Sequence, residues 1–521
     1  MTTAISARRW ALRALALVVG AGLALAFPAA DAWWLAWVGL VPLLLLLALA
    51  GSSREAVWRS WLAASGFFVA LHHWLLPHLG LFVLPAGAVT GAAWVPFGLA
   101  AHRLLRGRLS APQAGLALVV LPSVWLTIEA LRSWKHLGGT WGLLGLSQCR
   151  VRPVLAVASL GGVWLISFLL VTVNVGVAAA VAPGAATRAR LLGGGAAVLL
   201  AGAAVAYGLL RPEPQVTGSL RVAGVQPGVV RDAQARLAAH LRLTRQLAGG
   251  DHDLVVWGQS SVGVDPTQRP EVARRLRQAA ATAGSDVLVN VDARTPTGRI
   301  TKSTQQYTPD GLAGVYEKTR LVPFGEYIPL RPLLGWVTEF TEAAQVDRTP
   351  GDEPTTLRVA GVLVGPLISY ESTFPDLHRT LARMGAELTL VQGSLTTFQG
   401  TWAHQQQASF EAVRAVESGR PAVLVAMSGT SAAFDSRGRR LAWVPPEERG
   451  TFLVDVPLSQ EETPYVRLGD WVPLMAGAIT AGAAFTVASR KRRERSPAAR
   501  HQASTSPLPG DPQDTTDVPQ D

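Results

Sequence analysis

Long apolar segments constrain this chain more than any other feature of its sequence. A helix needs about 20 mostly apolar residues to cross the hydrocarbon core of a bilayer. Runs of that kind lie at about residues 10–27, 32–50, 58–78, 80–101, 113–131, 154–182, 190–210 and 468–488. Hydrophobic residues make up 49% of the chain and charged residues 16%, as is typical of a membrane protein. The sequence therefore predicts about seven membrane helices near the N-terminus and one more near the C-terminus.

Basic residues between the apolar runs predict the direction of each crossing. Arg8 and Arg9 precede the first run as they would in a signal peptide, but further apolar runs follow, so we interpret it as a retained helix. Loops rich in Lys and Arg face the cytoplasm. Alternation from a cytoplasmic N-terminus places most of the arginines there: Arg54, Arg59, Arg103, Arg106, Arg108, Arg188 and Arg190. One loop, predicted on the outer side, is also basic through Arg132, Lys135, Arg150 and Arg152.

The region between about residues 217 and 460 has the pattern of an α/β domain. Short β-branched runs such as HDLVVWGQSS and ELTLVQGSL end in turn residues, and amphipathic stretches such as DAQARLAAHLRLTRQLA lie between them. Two hairpin patterns, YTPDGLAGVYEK and FDSRGRRLAWV, predict a mixed sheet. The expected organisation is a membrane domain at 1–212, the α/β domain at 217–460, a spanning helix at 467–489, and a basic, then disordered, cytoplasmic tail at 490–521.

Charge and cysteine content argue against other classes of protein. The net charge of +11 would suit a nucleic-acid partner, but the arginines lie beside apolar segments and in SRKRRERSPAAR, without a reading motif. We therefore expect no nucleic acid. Cys149 is the only cysteine in the sequence, which excludes an intrachain disulfide and a multi-cysteine metal site. We interpret it as a packing residue and expect neither a metal nor a cofactor.

Polar side chains at the ends of three predicted strands are the candidates for chemistry, because ligands gather where the strands of α/β sheets end. They lie in VVWGQSS, YEKTRLVPFGEYIPL and LISYES. In chain order they are Gln259, Lys318, Glu326, Ser369, Tyr370 and Glu371. Each alone has an ordinary explanation, such as a solvated lysine, a turn hydroxyl or a surface amide. Taken singly, none of them indicates an enzyme.

Taken together, the three segments resemble a known family. Their order and neighbourhoods are similar to the catalytic segments of the carbon–nitrogen hydrolase (nitrilase) superfamily. The flanking apolar runs, with SVWLTIEALRS and TWGLLGLSQ, narrow the resemblance to the apolipoprotein N-acyltransferase family. KTRLVPFGEYIPL is its most specific segment. The resemblance implies about eight membrane helices and an αββα sandwich on the periplasmic side of a bacterial inner membrane.

The resemblance also implies an activity, the transfer of an acyl chain in lipoprotein maturation. A thiolate takes the chain from a phospholipid and passes it to the free amine of the N-terminal cysteine of a diacylated lipoprotein. A glutamate base, a lysine that stabilises the oxyanion and a cysteine nucleophile carry such chemistry. Lys318 stands at the lysine position, and the supporting positions are matched by Glu326, Tyr370 and Glu371.

Two of the three catalytic positions depart from the family pattern. Gln259 stands where the family has glutamate, Gly258 where proline is usual, and Ser369 where the family has cysteine. A serine hydroxyl is far less acidic than a thiol and needs a base, and an amide cannot serve as one. Glu326, Glu371 and Lys318 stay open as substitutes. The two replacements are near-isosteric, as an engineered substrate trap would be, but the change at Gly258 favours natural divergence.

Four functions remain open from the sequence. The first is an acyltransferase whose rate is weakened or lost through the two replacements. The second is a silent member of the family that binds lipoprotein or lipid as a partner or regulator. A membrane-tethered amidase or nitrilase would lack the same base and thiol. A transporter with an external domain is the weakest, because the predicted helices lack charged residues that suggest an ion path, apart from Glu129, and no inverted repeat is evident.

Overall fold

The chain forms a helical half and an α/β half. The computed structural model describes residues 2–136, 139–339 and 344–495, so the predicted tail lies outside the described residues from 496 onward. Its α-helices are α1 (Thr2–Leu23), α2 (Leu35–Val38), α3 (Val41–Ala48), α4 (Ser53–Leu71), α5 (Leu76–Leu79), α6 (Val83–Gly91), α7 (Val95–Leu105), α8 (Ala111–Arg132), α9 (Arg152–Leu155), α10 (Ala158–Val181), α11 (Thr187–Leu210), α12 (Ala233–Arg245), α13 (Pro270–Ala283), α14 (Arg331–Leu334), α15 (Pro375–Arg383), α16 (Ala403–Ser418), α17 (Pro464–Leu468) and α18 (Trp471–Arg495). Its strands are β1 (Gly218–Gln226), β2 (Leu254–Trp257), β3 (Asp286–Arg294), β4 (Ile300–Thr308), β5 (Gly311–Glu317), β6 (Leu357–Val359), β7 (Val362–Ile368), β8 (Leu388–Gly393), β9 (Ala422–Ala426), β10 (Ser431–Phe434), β11 (Arg440–Val444) and β12 (Gly450–Leu458).

Six helices within the described ranges are long and apolar enough to cross a membrane. They are Ser6–Ala26, His73–Leu105, Ala111–Arg132, Ala158–Val181, Thr187–Leu210 and Trp471–Ser489. The other two apolar runs are helical but do not meet that description. Leu35–Ala48 is shorter, and α4 carries Arg54, Glu55 and Arg59 in its first turns. Length and charge therefore explain why the structure gives six such helices where the sequence predicted about eight.

The two ends of the helical bundle differ in what they contact. Just before α8 begins, the Leu109 carbonyl accepts a hydrogen bond of 3.0 Å from the Ala186 amide, which joins two loops predicted to be cytoplasmic. Just after α8 ends, Trp141 Nε1 donates to Gln406 Oε1 of the α/β half at 2.8 Å. The basic loop that was predicted on the outer side therefore lies against the α/β domain, at the opposite end of the bundle.

The α/β half consists of two six-stranded sheets packed face to face. Their strand orders are β12-β1-β2-β3-β4-β5 and β11-β10-β9-β8-β7-β6. β1, β2 and β3 are parallel, as are β7, β8 and β9, while the outer strands of both sheets run antiparallel. Both sheets are therefore mixed, as the hairpin patterns predicted. Apolar side chains of both sheets, including Val256, Val364 and Val423, form the buried core between them.

Helices cover the outer faces of both sheets and complete the αββα sandwich. α12 and α13 pack on the first sheet through a second buried core that contains Leu243 and Leu276. α15 and α16 cover the second sheet, and their buried side chains, such as Leu377 and Phe410, are continuous with the core of the helical bundle. The second helical layer is thus shared between the sandwich and the membrane half, which sets the sandwich directly on the end of the bundle.

A break in α10 fixes this junction. The backbone leaves helical geometry at Gly161 and at Gly162, where φ is 68°. The broken turn exposes the amide of Val163, which donates to Glu417 Oε1 of α16 at 2.6 Å. A Cβ atom at Gly162 would lie only 2.9 Å from the ring of Tyr465, so only glycine fits both the backbone angle and the space.

Candidate active site

The candidate residues Gln259 and Ser369 follow strands that end at the same edge of the sandwich. Gln259 lies two residues past β2. Its backbone amide donates a hydrogen bond of 3.0 Å to the Gly393 carbonyl at the end of β8. The neighbouring residue Gln392 is in register with Ile368, the last residue of β7. Ser369 comes next in the chain, so the fold brings both candidates to one region where parallel strands end.

Ser369 has a backbone conformation that is unusual for a residue with a side chain. Its φ is 52°, in the left-handed region that side chains disfavour. Holding such a residue costs about 1–3 kcal/mol and persists only where the surroundings impose it. Among the described residues, none forms a hydrogen bond with the Ser369 hydroxyl, which is half-buried. The hydroxyl is thus presented at the tip of a strained turn rather than used to stabilise that turn.

Glu371 imposes this turn. One carboxylate oxygen accepts hydrogen bonds from the Tyr316 hydroxyl, the Thr319 amide and hydroxyl, and the Arg320 amide, at 2.7–3.0 Å. The other accepts from the Ile368 amide at 2.9 Å. This buried carboxylate ties the turn after β7 to the segment directly after Lys318. Because its lone pairs are occupied by these donors, we assign it a positioning role.

Lys318 and Glu326 form a buried ion pair that includes a second lysine. Lys318 Nζ lies 3.0 and 2.8 Å from the two carboxylate oxygens of Glu326, and Lys302 Nζ lies 2.9 Å from one of them. Burial lowers the pKa of Lys318, and the Lys302 cation adds to this, while Glu326 opposes it. Burial alone would raise the pKa of Glu326, but the two lysine cations hold it well below its usual range. Glu326 is therefore a weak base, whereas Lys318 loses its proton more easily than a free lysine.

Lys302 belongs to a charged network that the sequence analysis did not identify. It pairs across the sheet with Asp292, whose carboxylate lies 3.6 Å from Lys302 Nζ and accepts two hydrogen bonds from Arg348 at 2.5 and 3.2 Å. The available signal was a lone lysine in the polar run ITKSTQQYT, beside the strand end NVDAR. A polar run of this kind resembles a solvated edge strand, and only the structure shows that it is buried between β3 and β5.

Gln259 occupies a buried site in which its amide oxygen has no hydrogen-bond partner. The side chain is 6% exposed, and its Oε1 atom is buried without a donor among the described residues. The next residue, Ser260, is held at a φ of 58° by the side chains of Asn290 and Asp292. On the other side, a Cβ atom at Gly258 would lie 2.1 Å from the amide nitrogen of Met427. The backbone around Gln259 is therefore fixed on both sides, with no room for the family's usual proline.

Tyr370 connects the candidate site to the membrane half. Its ring packs edge-on against Phe374, with 5.0 Å between ring centroids, and its buried hydroxyl has no hydrogen-bond partner among the described residues. Burial raises the pKa of Tyr370, so the hydroxyl stays protonated. A Cβ atom at Gly139, in the loop after α8, would lie 2.4 Å from that hydroxyl. Tyr370 thus lies where the strained turn meets the loop.

The structure brings the predicted residues into one region, but hydrogen bonds and ion pairs do not connect all of them directly. Lys318 pairs with Glu326, and Glu371 joins their segment to the turn that carries Ser369 and Tyr370. Within the described ranges, no hydrogen bond links Lys318 to Ser369 or to Gln259. The same ranges contain no group of three His, Cys, Asp or Glu side chains arranged to hold a metal ion.

Two family models match the two halves of the chain. The apolipoprotein N-acyltransferase N-terminal domain matches residues 19–176, and the carbon-nitrogen hydrolase domain matches residues 221–463. A solved structure of an amidase from Nesterenkonia sp. is 20% identical, covers 46% of this chain and 90% of its own, and has a TM-score of 0.35. The two family models define the class of protein as a carbon-nitrogen hydrolase domain joined to a membrane domain.

Relatives along nearly the whole chain define the family more narrowly. An apolipoprotein N-acyltransferase from Pseudomonas aeruginosa is 31% identical over 505 residues, with 90% of this chain and 94% of the relative covered. One from Geobacter metallireducens is 28% identical over 506 residues, with 92% and 95% covered. The chain belongs to the apolipoprotein N-acyltransferase family, as the resemblance of its three catalytic segments indicated.

Proposed function

We propose that this chain acts in lipoprotein maturation, where it transfers a fatty acyl chain from a phospholipid to the N-terminal amine of a diacylated lipoprotein. The family supplies the reaction, and one observation carries the assignment to this chain. Ser369 has a left-handed backbone at the end of β7, in a turn that Glu371 ties to the segment beside Lys318. We propose Ser369 as the nucleophile, Lys318 as its partner in proton transfer, and Glu326, Tyr370 and Glu371 as supporting residues.

We also propose a location and a domain arrangement. The protein lies in the inner membrane of a bacterium, with residues 1–212 and 467–489 in the membrane and 217–460 on the periplasmic side. The tail at 490–521 is then cytoplasmic. Support comes from the six apolar helices and from the opposite ends of the bundle that contact the arginine-rich loops and the α/β domain.

The proposed first step forms an ester on Ser369. Burial lowers the pKa of Lys318, and in the proposed step Lys318 first releases its ammonium proton to water. Ser369 Oγ then attacks the acyl carbonyl of the phospholipid while its proton passes to the amine of Lys318. The resulting ammonium stabilises the oxyanion and then gives the proton to the departing lysophospholipid alcohol. The other candidate bases are occupied, since Glu326 accepts from two lysines and Glu371 from backbone and hydroxyl donors.

In the proposed second step, the lipoprotein amine attacks the ester and forms an amide. The amine loses a proton, and Ser369 leaves as a hydroxyl, so the enzyme returns to its first state. Gln259 cannot carry the proton in either step, because an amide is not a base at neutral pH. General acid–base help is typically worth about 10² to 10⁴-fold, so we expect this chain to turn over at least about a hundredfold more slowly than a relative with glutamate and cysteine.

A second function is supported by Gln259 itself. A buried amide in place of the base, with its oxygen unpartnered, preserves the shape of the site while removing its usual proton acceptor. We therefore propose, as the alternative, a chain that binds phospholipid and lipoprotein without turnover.

Mass spectrometry of a lipoprotein N-terminal peptide tests both functions. The chain is expressed in cells without another such enzyme, as wild type and as the double variant Gln259→Glu with Ser369→Cys. Gly258 is left unchanged because a Cβ atom there would meet Met427. We expect a small acylated fraction with the wild type and a rise of about a hundredfold or more in the rate with the double variant. Acylation by the double variant but not by the wild type supports the binding function. If neither protein acylates the peptide, both proposed functions are contradicted.

A further inference from the structure

A cavity separate from the candidate active site lies where the α/β domain meets the membrane half. Its volume is about 390 Å³, and its lining includes Cys149, Arg150, Arg152, Phe434, Arg440 and Trp443. These residues come from the loop before α9 and the first residue of α9, from β10 and from β11. The proposed reaction uses none of them. We call this cavity the arginine pocket.

The arginine pocket carries more positive than negative charge. The guanidinium groups of Arg150 and Arg440 lie 5.8 and 5.7 Å from the centroid of the same ring, that of Trp443. Arg150 is paired with Asp31 at 2.7 Å. In the parts of the chain that the structure describes, no acidic side chain pairs with Arg152 or Arg440. Two exposed guanidinium groups are therefore available to an anion beside an aromatic surface.

Neighbouring residues place the pocket at the depth of lipid headgroups. Arg152 precedes Pro153, whose carbonyl oxygen lies 2.0 Å from the Cβ position of Gly208, near the end of the membrane helix α11. Asp31, the partner of Arg150, lies close in the chain to Trp33 and Trp34, which are 39% and 55% exposed. Exposed tryptophans are enriched at the boundary between water and hydrocarbon. The pocket thus lies level with the end of a spanning helix, on the side that carries the α/β domain.

We propose that the arginine pocket binds the phosphate headgroup of an anionic phospholipid that is not the acyl donor. Arginine matches phosphate oxygens with paired N–H donors, and a net negative headgroup compensates the two unpaired cations, which a zwitterionic headgroup does not. The position at the end of α11 favours a lipid over a soluble phosphate, because the acyl chains can remain in the bilayer. Burial raises the pKa of the Cys149 thiol to about 12, so it lines the pocket as a neutral group.

Such a lipid would join the two halves of the protein. Arg150, in the loop before α9, and Arg152, at the start of α9, belong to the membrane half, whereas Arg440 and Trp443 belong to β11 of the sandwich. One headgroup that contacts both sides adds attraction between them, and ligands that bind only the folded state raise its stability. We therefore expect the anionic lipid to raise the thermal unfolding temperature as well as to bind.

Native mass spectrometry of the purified full-length protein tests the proposal. Phosphatidylglycerol and phosphatidylcholine with identical acyl chains are titrated in a neutral detergent. We expect one phosphatidylglycerol molecule to bind in preference, and the double variant Arg152→Gln with Arg440→Gln to weaken that step about tenfold or more, since each arginine near an anionic lipid adds about 1 kcal/mol. The matched control is Arg274→Gln with Arg275→Gln, two exposed arginines of α13 on the other helical layer. It is expected to leave the affinity unchanged.

Three results would overturn the proposal. They are equal binding of the two lipids by the wild type, full affinity in the arginine-pocket variant, or an equal loss in the control variant. A further arm uses glycerol phosphate alone, and an affinity equal to that of the lipid would assign the pocket to a soluble phosphate instead. A wild-type measurement at rising salt does not depend on any variant, and a preference for phosphatidylglycerol that does not weaken with salt would also contradict the charge argument.

Discussion

Ser369 and Gln259 differ in how well their own side chains suit the surroundings in which they lie. The turn at Ser369 keeps the left-handed backbone and the Glu371 contacts of a site that presents a nucleophile. The pocket at Gln259 leaves the amide oxygen buried and unpartnered, which is unfavourable for a neutral acceptor. The serine thus suits its proposed role as nucleophile, whereas Gln259 places an inert amide where the resemblance implies a catalytic carboxylate of the same shape.

The buried carboxyl of Glu411 gives the protein a pH-dependent stability. Burial raises its pKa to about 8 from 4.5, and the nearby Ser372 hydroxyl and Arg414 cation oppose this only in part. The folded state therefore holds a proton that the unfolded state releases, so stability falls as pH rises from about 4.5 to about 8. We expect Glu411→Gln to raise the unfolding temperature at pH 8 and to change it little at pH 5. A difference between variant and wild type that is the same at both pH values would contradict this assignment.

The places of the candidate site residues at strand ends were predictable from sequence, but most of their contacts were not. Lys318 and Ser369 directly follow β5 and β7, so their positions in the chain were enough to make them candidates. Lys302 was missed because β4 is polar along its length. In the structure Thr304 bonds to Gln392 of the facing sheet, and Gln306 bonds to Asp286 of the neighbouring strand β3. Burial of a polar strand depends on partners that are distant in sequence, which no local pattern reports.

Among the helices, the break in α10 has the largest consequence for the fold. The sequence predicted one continuous apolar run at 154–182, because neighbouring glycines in such a run do not by themselves indicate a break. In the structure the break frees the Val163 backbone amide, which donates a hydrogen bond to Glu417 of α16. Glu417 is fully enclosed, and burial raises its pKa to about 7. The junction thus depends on one glycine pair and one buried carboxyl.

Substitution of Gly162 tests this junction. Gly162→Ala places a Cβ atom 2.9 Å from the Tyr465 ring at a φ of 68°, so we expect a loss of about 1–3 kcal/mol of stability. The matched control is Gly195→Ala in α11, where no atom lies within 4 Å of the Cβ position. In a helix this control change is expected to be neutral or slightly stabilising. Thermal unfolding in detergent measures both, and equal unfolding temperatures for the two variants would mean that the break does not fix the junction.

For the molecule as a whole, apolar run length and strand pattern predicted the two halves and their order. The way they join was not predictable, because α15 and α16 have the sequence pattern of ordinary amphipathic helices. In the structure their buried faces share one core with the helical bundle. Segment length also overestimated the number of spanning helices, because Leu35–Ala48 and α4 are helical without being both long and apolar.

The proposed orientation can be tested by labelling single cysteines. Cys149 is 2% exposed and its pKa is raised to about 12, so it should not react with a maleimide at neutral pH. Asp310→Cys lies in the turn before β5, and Arg188→Cys lies at the start of α11. In cells with a permeabilised outer membrane, we expect an impermeant maleimide to label the variant at 310 and to reach the variant at 188 only after lysis. Labelling of the variant at 188 in intact inner membranes, with none at 310, would show the opposite orientation.

The central claim is that Ser369 carries the acyl chain. The most direct measurement incubates the purified protein with a phospholipid, without lipoprotein, and determines the mass of the proteolytic peptide that contains Ser369. The account predicts a fraction of that peptide increased by one acyl group, absent in Ser369→Ala and released when a diacylated lipoprotein peptide is added. An unmodified Ser369 peptide from a protein that still acylates the lipoprotein peptide would contradict it.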